Sequence, residues 1–252
     1  MGGTPEGAPG VAAVSPGVDP GVRRRDALLI ALTFAAGVVD AVSYLGLGQI
    51  FTANMTGNVV FLALAVGERS VLTALHSVGA LIGFSVGAIA SGRLLARPRP
   101  TGTWPRRVTW LLWGETACVV AFAAVWALTS GEPNAGLLYL LIALSSFAMG
   151  VQNAAARHLA VPGLTTTVIT IALTGFMVDL PALGISGETQ RRAGVAVVAL
   201  FSGAAVGASL MVYARVAAPF VTAATVLGVV VLAHLSFGDI ARARGSASGS
   251  NG

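Results

Sequence analysis

The sequence predicts an all-α polytopic membrane protein, with six full transmembrane helices plus two short broken or re-entrant elements, arranged as an inverted internal repeat. Three observations carry that reading. The 252 residues are 55% hydrophobic and only 10% charged, with a mean hydropathy of +0.82, whereas soluble domains carry roughly 25% charge. Apolar runs of about 20 residues, the length that crosses the hydrocarbon core, recur six times along the chain. The cationic side chains between the runs are all arginines, distributed unevenly from one loop to the next.

The first 22 residues are rich in Gly, Pro and Ala and can bury little, so residues 1–22 are expected to be a disordered tail. Arg23, Arg24 and Arg25 stand directly before an apolar run too long for a signal-peptide core, so that run reads as a retained first span. Full spans are expected at 27–47, 72–92, 108–129, 135–156, 193–214 and 217–236. The stretches 51–66 and 165–183 are short or start with polar residues, as thin spans or re-entrant hairpins would. A single membrane domain over 23–240 follows, with a second disordered tail at 241–252.

The arginines choose between the two forms. With both short stretches re-entrant and the N-terminus inside, thirteen of the fifteen arginines are cytoplasmic and only Arg69 and Arg215 lie outside. With both crossing fully, the division becomes eight against seven. The positive-inside rule prefers the first arrangement, which places the chain in a plasma or inner membrane with both termini cytoplasmic. The net charge of +5 does not point to nucleic acid, because no basic domain remains outside the membrane. The expected partners are the lipid bilayer and a small solute or ion.

Self-similarity divides the domain in two, at about 26–130 and 135–237. Phe34-Ala-Ala-Gly-Val-Val-Asp-Ala41 aligns with Phe147-Ala-Met-Gly-Val-Gln-Asn-Ala154, an offset of 113. Thr52-Ala-Asn-Met-Thr56 falls on Thr166-Thr-Val-Ile-Thr170, and Gly83 and Gly87-Ala88 fall on Gly203 and Gly207-Ala208. Each half holds three full spans, so the second half enters from the opposite face. Such repeats commonly bring broken elements together near the midplane around a solute site.

The candidate site is drawn from polar residues in the apolar field: Asp40, Asn54, Thr56, Asn58, Asn153, Thr166 and Thr170. A carboxyl at the depth of Asp40 costs about 2.5–3.5 kcal/mol on insertion scales. It reads either as a proton or cation site or as a structural acid bonded to Thr33, to Ser43 or to a helix end. Asn54 to Thr56 matches a glycosylation sequon, which a segment held in the membrane does not use. At a helix N-terminus these residues would instead cap free N–H groups or receive an anion. In the repeat, Asp40 is expected to approach Asn153, and the threonines of 165–170 to face Asn54, Thr56 and Asn58.

Glu115 follows Arg106 and Arg107 and reads as a snorkelling acid paired with one of them. Asp179 reads as interfacial. Cys118 is the only cysteine, and His76, His158 and His234 lack metal-motif spacing, so neither a metal nor a cofactor is expected. The glycines at 79, 83 and 87 with Ser91 form a stripe suited to close helix packing, within the chain or between copies.

The segments Gly37-Val-Val-Asp-Ala-Val-Ser-Tyr44, Phe51-Thr-Ala-Asn-Met-Thr-Gly-Asn58, Gly150-Val-Gln-Asn153 and Thr165-Thr-Thr-Val-Ile-Thr170 resemble the YoaK family of uncharacterised bacterial multi-pass membrane proteins. The resemblance covers nearly everything from Arg25 to about Phe237 and implies about six membrane segments, with no substrate attached. The chain departs from the family's pattern at Ile171, where a glycine is usual. A transporter or channel-like permease is the function expected, with a non-catalytic scaffold as the alternative. An intramembrane enzyme would need a nucleophile and base that no motif here supplies.

Overall fold

The computed structural model describes residues 19–96, 103–161 and 187–248, with side chains as far as 237. The second short element, with Thr166, Thr170 and Asp179, lies outside the described residues. Within them the chain forms seven helices: α1 (Pro20–Gly46), α2 (Met55–Glu68), α3 (Val71–Leu95), α4 (Arg106–Leu128), α5 (Ala135–Leu159), α6 (Gly187–Tyr213) and α7 (Ala218–Ser248). Six are long and apolar enough to cross a bilayer, and α2, at 14 residues, is not. At about 1.5 Å per residue α2 reaches about 21 Å, short of the roughly 30 Å of hydrocarbon.

Helix starts follow from local chemistry. The Asp19 carboxylate accepts from Gly21 N at 2.8 Å, and Pro20 sits in the first turn, where its missing N–H costs nothing. The first helix therefore begins inside the stretch expected to be a tail. Asn134 caps α5 by accepting from Leu137 N at 3.0 Å, and Ser70 accepts from Thr73 N at the start of α3. At the far end α7 continues to Ser248, past the expected boundary at 240; alanine and arginine, which alternate over 241–244, are good helix formers.

The core is stacked in three layers along the bundle. One end holds Leu28, Leu32, Val108, Leu112, Ala155 and Val226. The middle holds Ala36, Val39, Val119, Ala148, Met149 and Ala223. The opposite end holds Val42, Leu47, Phe122, Trp126, Leu141 and Met211. The order in each layer shows α4 and α6 running with α1, and α5 and α7 against it. α2 packs on α3, and among the six long helices the contacts are α1 with α6 and α7, α5 with α3 and α4, α4 with α7, and slighter ones of α1 with α5, α6 with α7 and α3 with α4. Exchanging α1 with α5, α3 with α6 and α4 with α7 returns the same set.

Two of these contacts are parallel crossings in which backbone touches backbone. A Cβ on Gly203 would strike the Phe34 carbonyl, and one on Gly37 would strike the Leu200 carbonyl and lie 2.8 Å from Ala204 N. In the other crossing a Cβ on Gly87 would strike the Phe147 carbonyl, and one on Gly150 the Phe84 carbonyl, 2.9 Å from Ala88 N. Phe34 and Gly37 thus play the parts of Phe147 and Gly150, as the sequence alignment has it. The partner register differs from the expectation: Gly203 matches Gly87, not Gly83, one helical turn away. A stripe of small residues at four-residue spacing aligns with itself after such a shift, so sequence alone cannot fix it.

Candidate functional site

Asp40 lies in α1 six residues before its end, and the chain returns to it after leaving the helix. Gly48 and Gln49 take the left-handed φ values of 85° and 60° that reverse the backbone, and Gly48 packs so closely on His76 that a side chain there would overlap the imidazole. The loop then descends beside α1. Ile50 anchors it with no exposed surface, and Asp40 Oδ1 accepts from Thr52 N at 3.1 Å, Ala53 N at 2.8 Å and Asn54 N at 3.3 Å. From there α2 climbs back, turns through Arg69 at φ 56° and delivers the chain to α3 at the end of the bundle where α1 finished. The short element is re-entrant.

Irregular backbone at membrane depth persists only where its polar groups are answered inside the protein, and this loop is answered closely. Asn58 Oδ1 accepts from Phe51 N at 2.9 Å, while its Nδ2 donates to the Phe51 carbonyl. Thr52 and Ser145 join hydroxyls at 2.8 Å, tying the loop to α5. Phe51 stacks between Tyr44 and Phe61, with ring centroids 5.4 Å and 5.6 Å away.

Of the partners foreseen for Asp40, the helix end is the one found. The Thr33 hydroxyl donates to the Leu29 carbonyl and that of Ser43 to the Asp40 carbonyl, neither to the carboxylate. An acid therefore already occupies the positive end of the α2 dipole, which removes the anion-receiving role considered for that end. Among the described residues nothing donates to Asp40 Oδ2, and the side chain is half-buried. Asn54, whose N–H reaches it, and Thr56, in the first turn of α2, are exposed, and Asn54 makes no side-chain cap. Asn58, expected in the binding site, is instead fully buried as a loop clamp.

Asp40 and Asn153 do not meet. Thr52 places Asp40 level with Ser145, and Asn153 lies eight residues farther along α5, about 12 Å at 1.5 Å per residue. Asn153 Nδ2 donates to the Met149 carbonyl at 3.0 Å, and the side chain has a further interaction as well. Two residues related by a two-fold axis touch only when they lie on it, and the layer between these two is apolar. Beside that layer is a small cavity lined by Val39, Val119, Ser145, Met149 and Thr222 among others, with about 20 Å³ open to a water centre, room for one water.

Glu115 is not at the interface and pairs with neither arginine. It has no exposed surface, and both carboxyl oxygens lack a hydrogen-bond partner among the described residues. Nine residues from the start of α4 it is about 13 Å deep, on the face that carries Leu112, Val119 and Phe122 inward. At the bundle end below it the ion pairs are Arg192 with Asp26 at 2.8 Å and with Glu188 at 2.7 Å, and Arg25 with Asp26 at 3.1 Å. A spacing of three and four residues from Leu112 and Val119 was the signal that would have placed Glu115 in the core.

A helical bundle with six candidate spans, a re-entrant loop and buried polar anchors defines a polytopic membrane protein. The chain belongs to the family described as Protein of unknown function (DUF1275), which matches residues 28–233. It is 38% identical over 156 residues to the UPF0700 transmembrane protein YoaK of Bacillus subtilis (strain 168), covering 62% of this chain and 67% of the relative. No solved structure matches it.

Proposed function

We propose that the chain is a permease for a small solute or ion, built as an inverted repeat, with its binding position on the open side of the re-entrant loop. The observation that carries this is Asp40: one carboxylate oxygen holds the loop and the other is left without a donor beside exposed Asn54 and Thr56. The open carboxylate oxygen only accepts hydrogen bonds, and it favours a cation or a neutral solute bearing N–H or O–H groups over an anion. The repeat is supported by the exchange symmetry of the helix contacts and by the matched glycine crossings. It would give two such loops entering from opposite faces, the arrangement on which alternating access commonly rests.

The arginines support cytoplasmic termini. Arg23, Arg24, Arg25, Arg93, Arg106, Arg107, Arg157, Arg191 and Arg192 gather at the end where α1 begins, and Arg69 and Arg215 at the other. We read the protein as non-enzymatic, because nothing in the sequence pairs a nucleophile with a base.

Flux into proteoliposomes tests the proposal, with ammonium, urea and glycerol as probes. The wild type should pass at least one of them faster than protein-free liposomes. Asp40→Asn, which keeps the loop acceptor and turns the open oxygen into a donor, should abolish that gain. Equal flux in the wild type and Asp40→Asn would overturn the role of the open oxygen. A second reading, a non-catalytic scaffold, draws on the cavity having room for one water only; it predicts no flux for any probe.

A further inference from the structure

The inner face of α4 carries Glu115, Thr116, Val119, Phe122, Ala123 and Trp126, all buried. The inner face of α7 carries buried Thr222, Ala223, Val226, Val229, Val230 and Ala233, each 107 positions farther along the chain. Glu115 and Thr222 therefore hold matching places, and both are fully buried with no hydrogen-bond partner among the described residues. Gln152 adds a third open group: its Nε2 donates to the Leu32 carbonyl at 3.1 Å while its Oε1 is buried and unpartnered. Leu112 shares a layer with Ala155, and Val119 one with Met149, so Glu115 stands level with Gln152.

We infer that Glu115 is a reversible proton-binding site inside the bundle, with the proton itself as the ligand. A carboxylate with no donor in an apolar interior is among the most costly groups a bilayer can hold, so in this closed arrangement the side chain stands as the neutral acid. Among the described residues, the elements packed on α4 bring no cation to its depth. On α5 the ionisable residues Tyr139, Arg157 and His158 lie toward the ends, and on α7 His234 is exposed. On α3 His76 and Arg93 lie toward the ends, and on α1 Asp40 is committed to the loop a layer away. Cys118 lies one turn along α4 itself. Where packing alone is required the matching position takes a hydroxyl; the acid adds a proton that can be exchanged. When the helices part and water reaches the carboxyl, its O–H proton passes to water and leaves the carboxylate; return of a proton from either side restores it, and no other bond changes. The use of such a site for proton coupling rests on the permease reading.

Infrared spectroscopy of the protein in liposomes tests the site without measuring flux. The wild type should show a carbonyl stretch of a protonated carboxyl that is absent from Glu115→Gln, kept in Asp40→Asn, and shifted on transfer to heavy water. Absence of the band, its survival in Glu115→Gln, or no shift in heavy water would overturn the proposal, the last by showing a locked structural acid. Should Glu115→Gln fail to fold, wild-type protein treated with dicyclohexylcarbodiimide, which attacks protonated carboxyls in apolar surroundings, decides: modified Glu115 in the peptide map supports the site and an unmodified residue refutes it. A modified Glu115 without flux of any probe would sink the permease reading alone.

Discussion

Replacing Asp40 by Ala removes the single oxygen on which Thr52 N, Ala53 N and Asn54 N converge, and leaves three backbone donors of the re-entrant loop without an acceptor at membrane depth. Hydrogen bonds to a charged acceptor contribute about 1.5–3 kcal/mol each. The three share one oxygen, and the bond to Asn54, at 3.3 Å, is long, so two effective bonds, about 3–6 kcal/mol, is the reasonable scale. Water can reach the Asn54 side, which is exposed, and that relief points to the lower end, about 3 kcal/mol, or roughly a hundredfold in the local opening equilibrium. Asp40→Asn retains an oxygen in the same place as a neutral acceptor and should lose only about 1–2 kcal/mol, roughly tenfold. Amide hydrogen exchange resolved to residues 52–54 reads this directly, since local opening sets the exchange rate. Exchange in Asp40→Ala within about threefold of the wild type would show that the carboxylate does not hold the loop.

The glycine crossings predict a sharp contrast. Gly203→Ala and Gly87→Ala place a methyl against the Phe34 and Phe147 carbonyls, which are backbone and cannot swing aside, whereas Gly114→Ala and Gly228→Ala meet nothing within 4 Å. The first pair should lose about 1–3 kcal/mol or more to overpacking, and the second pair should be neutral or better, as read from thermal unfolding in detergent. Asn58→Ala strips both bonds from Phe51 and should cost about 2–3 kcal/mol, with faster hydrogen exchange at Phe51 as its local signature. Glu115→Met replaces an unpartnered buried neutral acid by an apolar chain of similar length, so it should raise stability by about 1–3 kcal/mol; a loss would mean that the carboxyl has a structural partner. Cysteines at Arg93 and Arg192 should react with an impermeant thiol reagent from the same side of the membrane, and one at Arg69 from the opposite side.

What the sequence made legible is what depends on length, polarity and charge. A span needs its apolar residues in a row, so the six long helices could be read directly, and the arginine asymmetry was enough to find that α2 turns back. The anchoring of that turn was not legible, because the groups that hold Asp40 are backbone amides twelve to fourteen residues away, and amides carry no residue type. Gly48 announces a left-handed turn, but Gln49 beside it adopts the same backbone without any such mark. Glu115 was misplaced for another reason: two arginines nearby suggested a partner, while the inward face was written in the spacing of Leu112, Glu115, Val119 and Phe122.

The separation of Asp40 from Asn153 shows what an internal repeat can and cannot say about a site. In antiparallel helices, α1 and α5 here, residues matched by duplication are level only where the symmetry axis passes. Gln152 bonds to Leu32, and Ala36 shares a layer with Ala148 and Met149, so under the proposed duplication, which pairs Ala36 with Met149, the axis crosses at that layer. Asp40 then lies four residues beyond Ala36 toward one face of the membrane, and Asn153 four residues beyond Met149 toward the other. Under the permease proposal such an arrangement would yield two half-sites, one reached from each side, separated by the apolar layer of Ala36, Val39, Val119 and Met149. A solute crossing between them would have to part that layer, and because the glycine crossings lock α1 to α6 and α3 to α5 backbone on backbone, movement there would take the form of one helix pair sliding against the other. Cross-linking Leu32 to Gln152, which join α1 to α5 across the two pairs, through a cysteine pair should then stop flux while leaving occupancy of the Asp40 half-site intact; unimpeded flux through the cross-linked protein would mean that the two pairs do not move against each other.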